Sequence, residues 1–526
     1  MKFYMFISYL RFNASFFDKG SSFNAEQALT KSGSANNRAH QRSRYALIIF
    51  LLAVSALIGG MTLPTRAAQT IPVTQTPVDT ATAIWSESII VPQMSQDNPA
   101  QELLTLRHDN DVWGGLWSKD ESRILTWSAD GTARIWNAES GKELLTLRHQ
   151  GPIWNASWNS IESRILTASE DGTVRVWDAR SGKELLTMHH QGGIHGAVWN
   201  GNESRILSWS KDNTARIWDA NTGNLILMLQ HDDSGYGVMG AAWNKDESRI
   251  LTWSGDGTAR VWDAHTGKEL LTTLHQQGLI WHAVWNSIES RILTWSDNGN
   301  VQVWDANTGK ELLAVHLDSS VYGARWNRDE SRILTSSVDG TARVWDANTG
   351  KELLLLREQD SIYSAVWNGT ESQILTSSAD GNVGIWDVNS GAEQTLNDMI
   401  HPLGRVGGAI WNSAESRVLS WSGDGTTRLW DVRSGMELLT MHHENVVQGA
   451  IWNGNESRIL TWSQDDTARV WDANVGLKLP PTTPTIPFVP TVTPSITPLP
   501  TVEGVIFTPT AMFPIPYGTP PPTPPS

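Results

Sequence analysis

Residues 248–263 read SRILTWSGDGTARVWD, and variants of this stretch close on nine tryptophans: Trp136, Trp177, Trp218, Trp262, Trp304, Trp345, Trp386, Trp430 and Trp471. Neighbouring members are 41 to 44 residues apart. A period of this length makes each repeat one supersecondary unit that buries its apolar face only against its neighbours. Within one period, residues 142–148 (KELLTLR), 153–158 (IWNASW), 164–169 (RILTAS) and 173–178 (TVRVWD) read as four short strands. They are rich in β-branched and aromatic residues and are punctuated by SGK, NSIES and EDGT turns, which suits an antiparallel meander. Four strands per repeat is the sequence sign of a propeller blade, so the expected fold is all-β.

The two ends predict how the array closes. Residues 101–108, QELLTLRH, match 142–149, KELLTLRH, but have no blade of their own, and after Trp471 the chain runs DANVGLKLPPT with no such strand. Nine inner triplets therefore lack one outer strand while the N-terminal side carries one spare. Pairing the two closes a propeller of nine four-stranded blades and removes its open sheet edges. A seven-blade ring with two loose repeats leaves the spare strand without a place. Besides the nine closing tryptophans, nine end the strand before each ESR turn (Trp117, Trp158 and their counterparts) and six stand mid-strand (Trp127 and its counterparts). Side chains of this size are read as inter-blade core.

On these residues the chain resembles the WD-repeat β-propeller family over residues 101–479. The resemblance implies that a His, a strand hydroxyl, a turn Asp and the closing Trp hydrogen-bond to one another within a blade. In the second repeat these are His149, Thr167 or Ser169, Asp171 and Trp177. Further sets are His108, Asp130 and Trp136; His190, Asp212 and Trp218; His231, Asp256 and Trp262; and His443, Asp465 and Trp471. Four repeats depart: Asn298 replaces the Asp, Glu358 replaces the His, His316 is displaced with Leu317 in register, and His401 follows a three-residue insertion. A partly satisfied buried network is costly, so those blades are expected to be the less rigid ones.

Composition narrows the function. There is no cysteine, which removes disulfides and thiolate chemistry. Of the net charge of -15, residues 101–479 carry -17, and a body this acidic argues against nucleic acid as a partner. Residues 1–44 form a basic segment expected to be disordered. Within 45–68, the apolar run 46–61 (ALIIFLLAVSALIGGM) follows Arg38, Arg42 and Arg44, the order of a secretory signal or a single membrane anchor. The expected location is extracytoplasmic. Residues 69–100 read as a linker, and 480–526, with 16 Pro and 11 Thr, as a disordered tail, either plain or a stiff stalk.

Positions that differ between repeats are the candidates for binding. Four residues before each strand-ending Trp stand Trp113, Trp154, His195, Met239, Trp281, Tyr322, Tyr363, Gly407 and Gln448. They are expected to form a ring of exposed side chains at one mouth of the channel, which would be unusual without a partner. In the family resembled, this position and the residue before the turn Asp line the partner-binding face. Here the second set is Ala129, Glu170, Lys211, Gly255, Asp297, Val338, Ala379, Gly423 and Gln464. The insertions DDSGYG after His231 and NDMIHPL at 397–403 add loops to the same rim. No phosphate loop, metal-ligand spacing or acid-base pair departs from the repeat, so no cofactor or metal is expected and no catalytic residue is assigned. The expected function is a non-enzymatic scaffold, a monomeric propeller binding a protein or peptide on the aromatic-lined face. A carbohydrate or cell-wall binder is the alternative, and a propeller hydrolase ranks below both.

Overall fold

The computed structural model describes residues 99–474, apart from Thr272 and residues 395–398. The segments read at 1–44 and 45–68, the linker up to 98 and the tail from 480 lie outside the described residues. Nine antiparallel sheets follow one another along the chain. Blade one consists of Val112–Trp117, Arg123–Ser128 and Thr132–Asn137 as an inner triplet, with Glu143–Arg148 as the outer strand. The next triplet begins with Ile153–Trp158, Arg164–Ser169 and Thr173–Asp178, so each sequence repeat starts on the outer strand of one blade and ends inside the next.

Closure takes the expected form. The last triplet, Val447–Trp452, Arg458–Ser463 and Thr467–Asp472, receives Glu102–Arg107 as its outer strand, with Leu106 opposite Ala468 and Arg107 opposite Thr467. Blade nine thus joins residues from both ends of the described chain, and no open blade edge is left at the junction. Just upstream, the amide of Ala100 donates to the Thr440 carbonyl of blade eight at 2.8 Å.

Burial explains the composition of each strand. Arg123–Ser128 lies between two neighbouring blades and is buried along nearly its whole length, whereas Glu143–Arg148 on the outer edge is mostly exposed. A continuous apolar run is what a strand covered on both faces requires. The core is accordingly divided into layers at the blade junctions. Leu125, Trp127 and Ile135 of blade one pack on Ile153, Ala156 and Trp177 of blade two, and the other junctions repeat the theme. All nine closing tryptophans are buried. The strand-ending set is less deep than expected: Trp158 and Trp452 are buried, while the others are half-buried at the margins of these layers. Several lie under an arginine of the preceding blade, as Arg123 over Trp158 at 4.6 Å and Arg458 over Trp117 at 4.9 Å.

The ESR turns join the blades. The glutamate of each has a left-handed backbone, with φ between 54° and 62° for Glu121, Glu162, Glu203, Glu247, Glu289, Glu330, Glu371, Glu415 and Glu456. This turns its carboxylate onto the preceding blade: Glu330 accepts from Asn286 Nδ2 at 2.6 Å and from the Ser287 amide. The same contact recurs from Glu203 to Asn159 at 2.8 Å and from Glu415 to Asn368 at 2.9 Å.

Blade seven is irregular on its outer side. Among the described residues, Val383–Asp387 meets the following chain through isolated bridges, Trp386 to Glu393 and Asn382 to Ile400, and through the Val383 amide to the Met399 carbonyl and the Gln394 amide to the Ile385 carbonyl.

Candidate functional site

Two polar assemblies repeat around the ring, and the first is structural. In blade one Trp136 Nε1 donates to Thr126 Oγ1 at 2.8 Å, Thr126 Oγ1 lies 2.7 Å from His108 Nε2, and His108 Nδ1 lies 3.0 Å from Asp130 Oδ2. The carboxylate can only accept, so the Nδ1 proton faces Asp130; in the neutral ring that burial favours, Nε2 then accepts from the threonine hydroxyl, which accepts in turn from the indole. Burial, the dominant influence, holds His108, His149, His190, His231, His401 and His443 below their ordinary pKa even with a carboxylate beside each ring. Burial pulls Asp130 upward, but the hydrogen bonds from His108, the Asp109 amide and Thr132 outweigh it and hold the carboxyl well below its usual range.

Between the two hydroxyls considered in the second repeat, Thr167 is the relay member, 2.7 Å from His149 Nε2 and 2.8 Å from Trp177 Nε1. Ser169 instead donates to the Gly151 carbonyl and accepts from the Asp171 amide. One expectation needs correction: the relay is not contained within a blade. The His149 amide donates to the Gly131 carbonyl of blade one while its ring enters blade two, so every relay fastens consecutive blades. The intact sets at His190 with Asp212 and Trp218, His231 with Asp256 and Trp262, and His443 with Asp465 and Trp471 follow the same geometry. His189 and His442, each next to a relay histidine in the chain, lie exposed on the outer strands.

The departures resolve individually. His401 keeps a full relay despite its insertion, with Ser420 Oγ at 2.7 Å and Asp424 Oδ2 at 3.4 Å. In the fifth repeat the residue in the histidine place is Gln276, which the sequence reading passed over; its Nε2 donates to Ser296 Oγ and to the Asn300 carbonyl, at 3.1 and 2.7 Å. Leu317 is fully buried and makes blade six apolar at this point. Glu358 accepts from Thr376 Oγ1 and Asn382 Nδ2, both at 2.8 Å. Where other blades place an arginine over the turn acid, as Arg134 over Asp130 at 3.2 Å, blade seven has Gly384. With burial foremost and Asp380 and Glu393 nearby, the Glu358 carboxyl is pushed up to about 7.

The second assembly is the variable ring. Each innermost strand carries a register shift at the same place, between Val112 and Gly114 in blade one and at the matching point of the other eight. The residue inside the shift is in every case the ring residue. A β-bulge re-aims a side chain that ladder pairing would otherwise constrain. The loop before the strand is tied to the turn holding the second variable set: the amides of Ala129, Glu170 and Lys211 donate to the carbonyls of Asp111, Pro152 and Gly193, at 2.9, 2.9 and 3.0 Å. Both sets therefore occupy one end of the blades, as expected.

Exposure differs from expectation. Trp113, Trp154, His195, Trp281, Tyr322, Tyr363 and Gln448 are half-buried, and Met239 is only 6 % exposed, packed into the junction of blades four and five. Neighbouring ring residues touch instead of standing free. Trp113 and Trp154 stack at 4.2 Å, and Tyr322 and Tyr363 meet edge to face at 5.2 Å. Trp154 Nε1 donates to Glu170 Oε2 at 2.9 Å, and Lys211 pairs with the other oxygen of Glu170 at 2.6 Å. His195 Nδ1 lies 2.9 Å from the Val238 carbonyl, and burial lowers its pKa to about 4. Arg405 Nη1 lies 3.4 Å from the Tyr363 hydroxyl. Burial, with Tyr363 close by, raises Tyr322 to about 12.

The comparisons agree with this architecture. The WD domain, G-beta repeat family matches residues 100–137, 141–178, 182–219, 223–263, 310–346 and 350–387. No curated protein matches the chain. Among solved structures, the C-terminal WD40 domain of Sif2 is 14 % identical with a TM-score of 0.50, covering 71 % of this chain and 98 % of its own, a likeness in fold. The computationally designed Ika8 protein is 23 % identical with a TM-score of 0.49, over 71 % of this chain and 99 % of its own. Repeats that match one family in sequence here close into a ring through a borrowed strand, and the chain belongs to the WD-repeat β-propeller family.

Proposed function

We propose that this protein is a non-enzymatic scaffold that binds a protein or peptide partner on the end of the propeller carrying the bulged ring. Propellers of this family are typically protein-interaction scaffolds, and the present reading adds the face and its residues. The observation that carries it is the bulge itself. Nine inner strands break their ladder at the position where the repeats disagree, while the latch glutamate is kept in all nine repeats and the relay histidine in six. Bulges re-aim side chains, and aromatic residues are the favoured anchors of interfaces.

The stacking of Trp113 on Trp154 favours a peptide over a sugar. A sugar-binding platform needs an open aromatic face, and each of these indoles covers a face of the other. Export or anchoring through residues 46–61 belongs to the same proposal and rests on the charge and hydropathy order of that segment. N-terminal sequencing of the mature protein distinguishes a cleaved signal from a retained anchor. For the face, Trp154→Ala and Tyr322→Ala each remove a half-buried ring and should lower the melting temperature somewhat, and each is expected to weaken partner capture by the full chain at a temperature where the variant is still fully folded. Unchanged capture by both variants would overturn the reading.

A further inference from the structure

The ring is chemically uneven. Blades one and two bring an aromatic and a carboxylate to the rim, Trp113 with Asp111 and Trp154 with Glu170, but there the two indoles stack on each other and Lys211 takes Glu170. From blade four to blade seven the pairs are Tyr236 with Asp233, Trp281 with Asp297, Tyr322 with Asp318, and Tyr363 with Asp360. Tyr236 is 47 % exposed, and Asp233, Asp318 and Asp360 are exposed as well. Within the arc, blade four touches blade five and blade six touches blade seven. A Cβ added to Gly255 would meet Tyr236 at 2.5 Å and Leu279 of the next blade at 3.1 Å, and Ser361 Oγ of blade seven donates to the Val338 carbonyl of blade six at 3.0 Å. Cations mark its two limits, Lys211 in blade three, paired with Glu170, and Arg405 in blade eight, on Tyr363.

We propose that this arc docks an extended segment of a protein partner bearing lysine or arginine at alternate positions. The inference rests on the binding face described above and names the chemistry of its partner. A carboxylate beside an aromatic face attracts a cation twice, by charge and through the ring quadrupole. Alternate residues of an extended segment are about 7 Å apart on one face, wider than the 5.2 Å between the touching rings of Tyr322 and Tyr363, so successive cations flank this ring pair on its two sides. The charge of -17 on residues 101–479 adds long-range attraction for a basic partner.

The test uses the full chain and two labelled peptides of about a dozen residues, one alternating Lys and Ser and one alternating Glu and Ser, read by fluorescence anisotropy at about 0.05 and 0.3 M salt. The Lys-Ser peptide is expected to bind, with affinity falling roughly tenfold at the higher salt, and the Glu-Ser peptide is expected not to bind. Asp318→Asn combined with Asp360→Asn should weaken Lys-Ser binding by about tenfold. The same charge change away from the rim, Glu139→Gln with Glu311→Gln, should leave binding within about twofold. Asn at 360 keeps an acceptor for the Ser361 amide, and melting curves confirm that each variant folds. Equal binding of the two peptides, no binding by either, or equal effects of the two double variants would overturn the basic-partner assignment. If Tyr322→Ala still abolishes partner capture in that case, the binding face stands and only the chemical class falls. If capture is unaffected by Tyr322→Ala and Trp154→Ala, the face falls with it.

Discussion

Glu121 and Asn453 are 332 positions apart in the chain, and Asn453 Nδ2 donates to the Glu121 carboxylate at 2.7 Å. The other carboxylate oxygen accepts from the Gly454 amide at 2.6 Å, so one side chain holds blade nine against blade one. It is the same latch that joins other neighbouring blades, used here to seal the ring. The seal has two further layers, the antiparallel pairing of Glu102–Arg107 with Thr467–Asp472 and the His108 relay.

The latch trades backbone strain for two charge-assisted hydrogen bonds. Glu121→Ala removes both acceptors and keeps the left-handed backbone, so it should cost about 2–3 kcal/mol in chemical denaturation. Glu121→Gly loses the same bonds but relieves roughly 1 kcal/mol of strain, and should melt above the alanine variant. Wild-type stability in both variants would show that the latch contributes nothing to closure.

Leu106 is fully buried in the layer between blades nine and one. Leu106→Ala should cost about 2–5 kcal/mol. Deleting residues 99–107 should expose the edge of Thr467–Asp472 and drive association, measured by light scattering of the eluting protein. A monomer of unchanged stability would mean that the borrowed strand is dispensable.

Gly114 is paired with Trp127 across the innermost ladder, and a Cβ on Gly114 would lie 1.8 Å from the indole. In blade two the corresponding pair is Asn155 with Ala168, and in blade seven Ser364 with Ser377. Where the second strand carries Trp the first carries Gly in blades one, three, four, eight and nine, and only blade five pairs two rings, His282 stacked on Trp295 at 4.9 Å. Gly114→Ala should therefore destabilise by about 1–3 kcal/mol, Trp127→Ala by about 3–5 kcal/mol, and the double variant by less than the sum of the two. Additive losses in the double-mutant cycle would refute the coupling.

Acid should loosen the relays. The relay histidines are held below their ordinary pKa, so on acidification the unfolded chain takes up protons that the folded ring refuses. Their stabilisation is complete above about pH 6.5 and declines below it, by up to about 1.4 kcal/mol per pH unit for each histidine. The relay carboxyls are also depressed, Asp256 to about 2, and add a further loss as pH falls through the carboxylate range. Melting curves at pH 7.5 and 5.5 should separate, and His149→Leu, which copies the natural Leu317 of blade six, should narrow the gap while lowering stability at pH 7.5. A gap unaltered by the substitution would exclude His149 as a contributor.

Glu358 should act in the opposite direction. Its folded pKa is raised, so the folded ring retains a proton that the unfolded chain releases, and stability is lost as pH rises through about 7. Glu358→Gln keeps a neutral, hydrogen-bonding group and should stabilise by roughly 1–3 kcal/mol at pH 8, with little effect at pH 5. Identical melting of the two proteins at pH 8 would show that Glu358 is not buried in a charged form.

While the outer strands of blades four and seven, short or broken into isolated bridges, were not legible in it, the sequence by itself determined the blade count, the inner strands and the closing strand. These follow from a period, a two-residue alternation and turn residues, all of which act over a few positions and are copied nine times. It also placed the ring and the residue before each turn acid at one end, because repeats hold equivalent positions at equivalent heights. Only the tertiary structure decided which groups meet across blade junctions. The glutamate of each ESR turn read as turn punctuation, since nothing local reveals a left-handed backbone that aims its carboxylate at the previous blade. The relay read as lying within one blade, since the repeat unit in the sequence is offset by one strand from the blade in space. The ring residues read as exposed, since their burial comes from neighbours about forty residues away, as Trp113 is covered by Trp154. Local patterns specify the strands, but a ring is held by pairs distant in the sequence, such as Glu121 and Asn453, and these pairs exist only once the ring has closed.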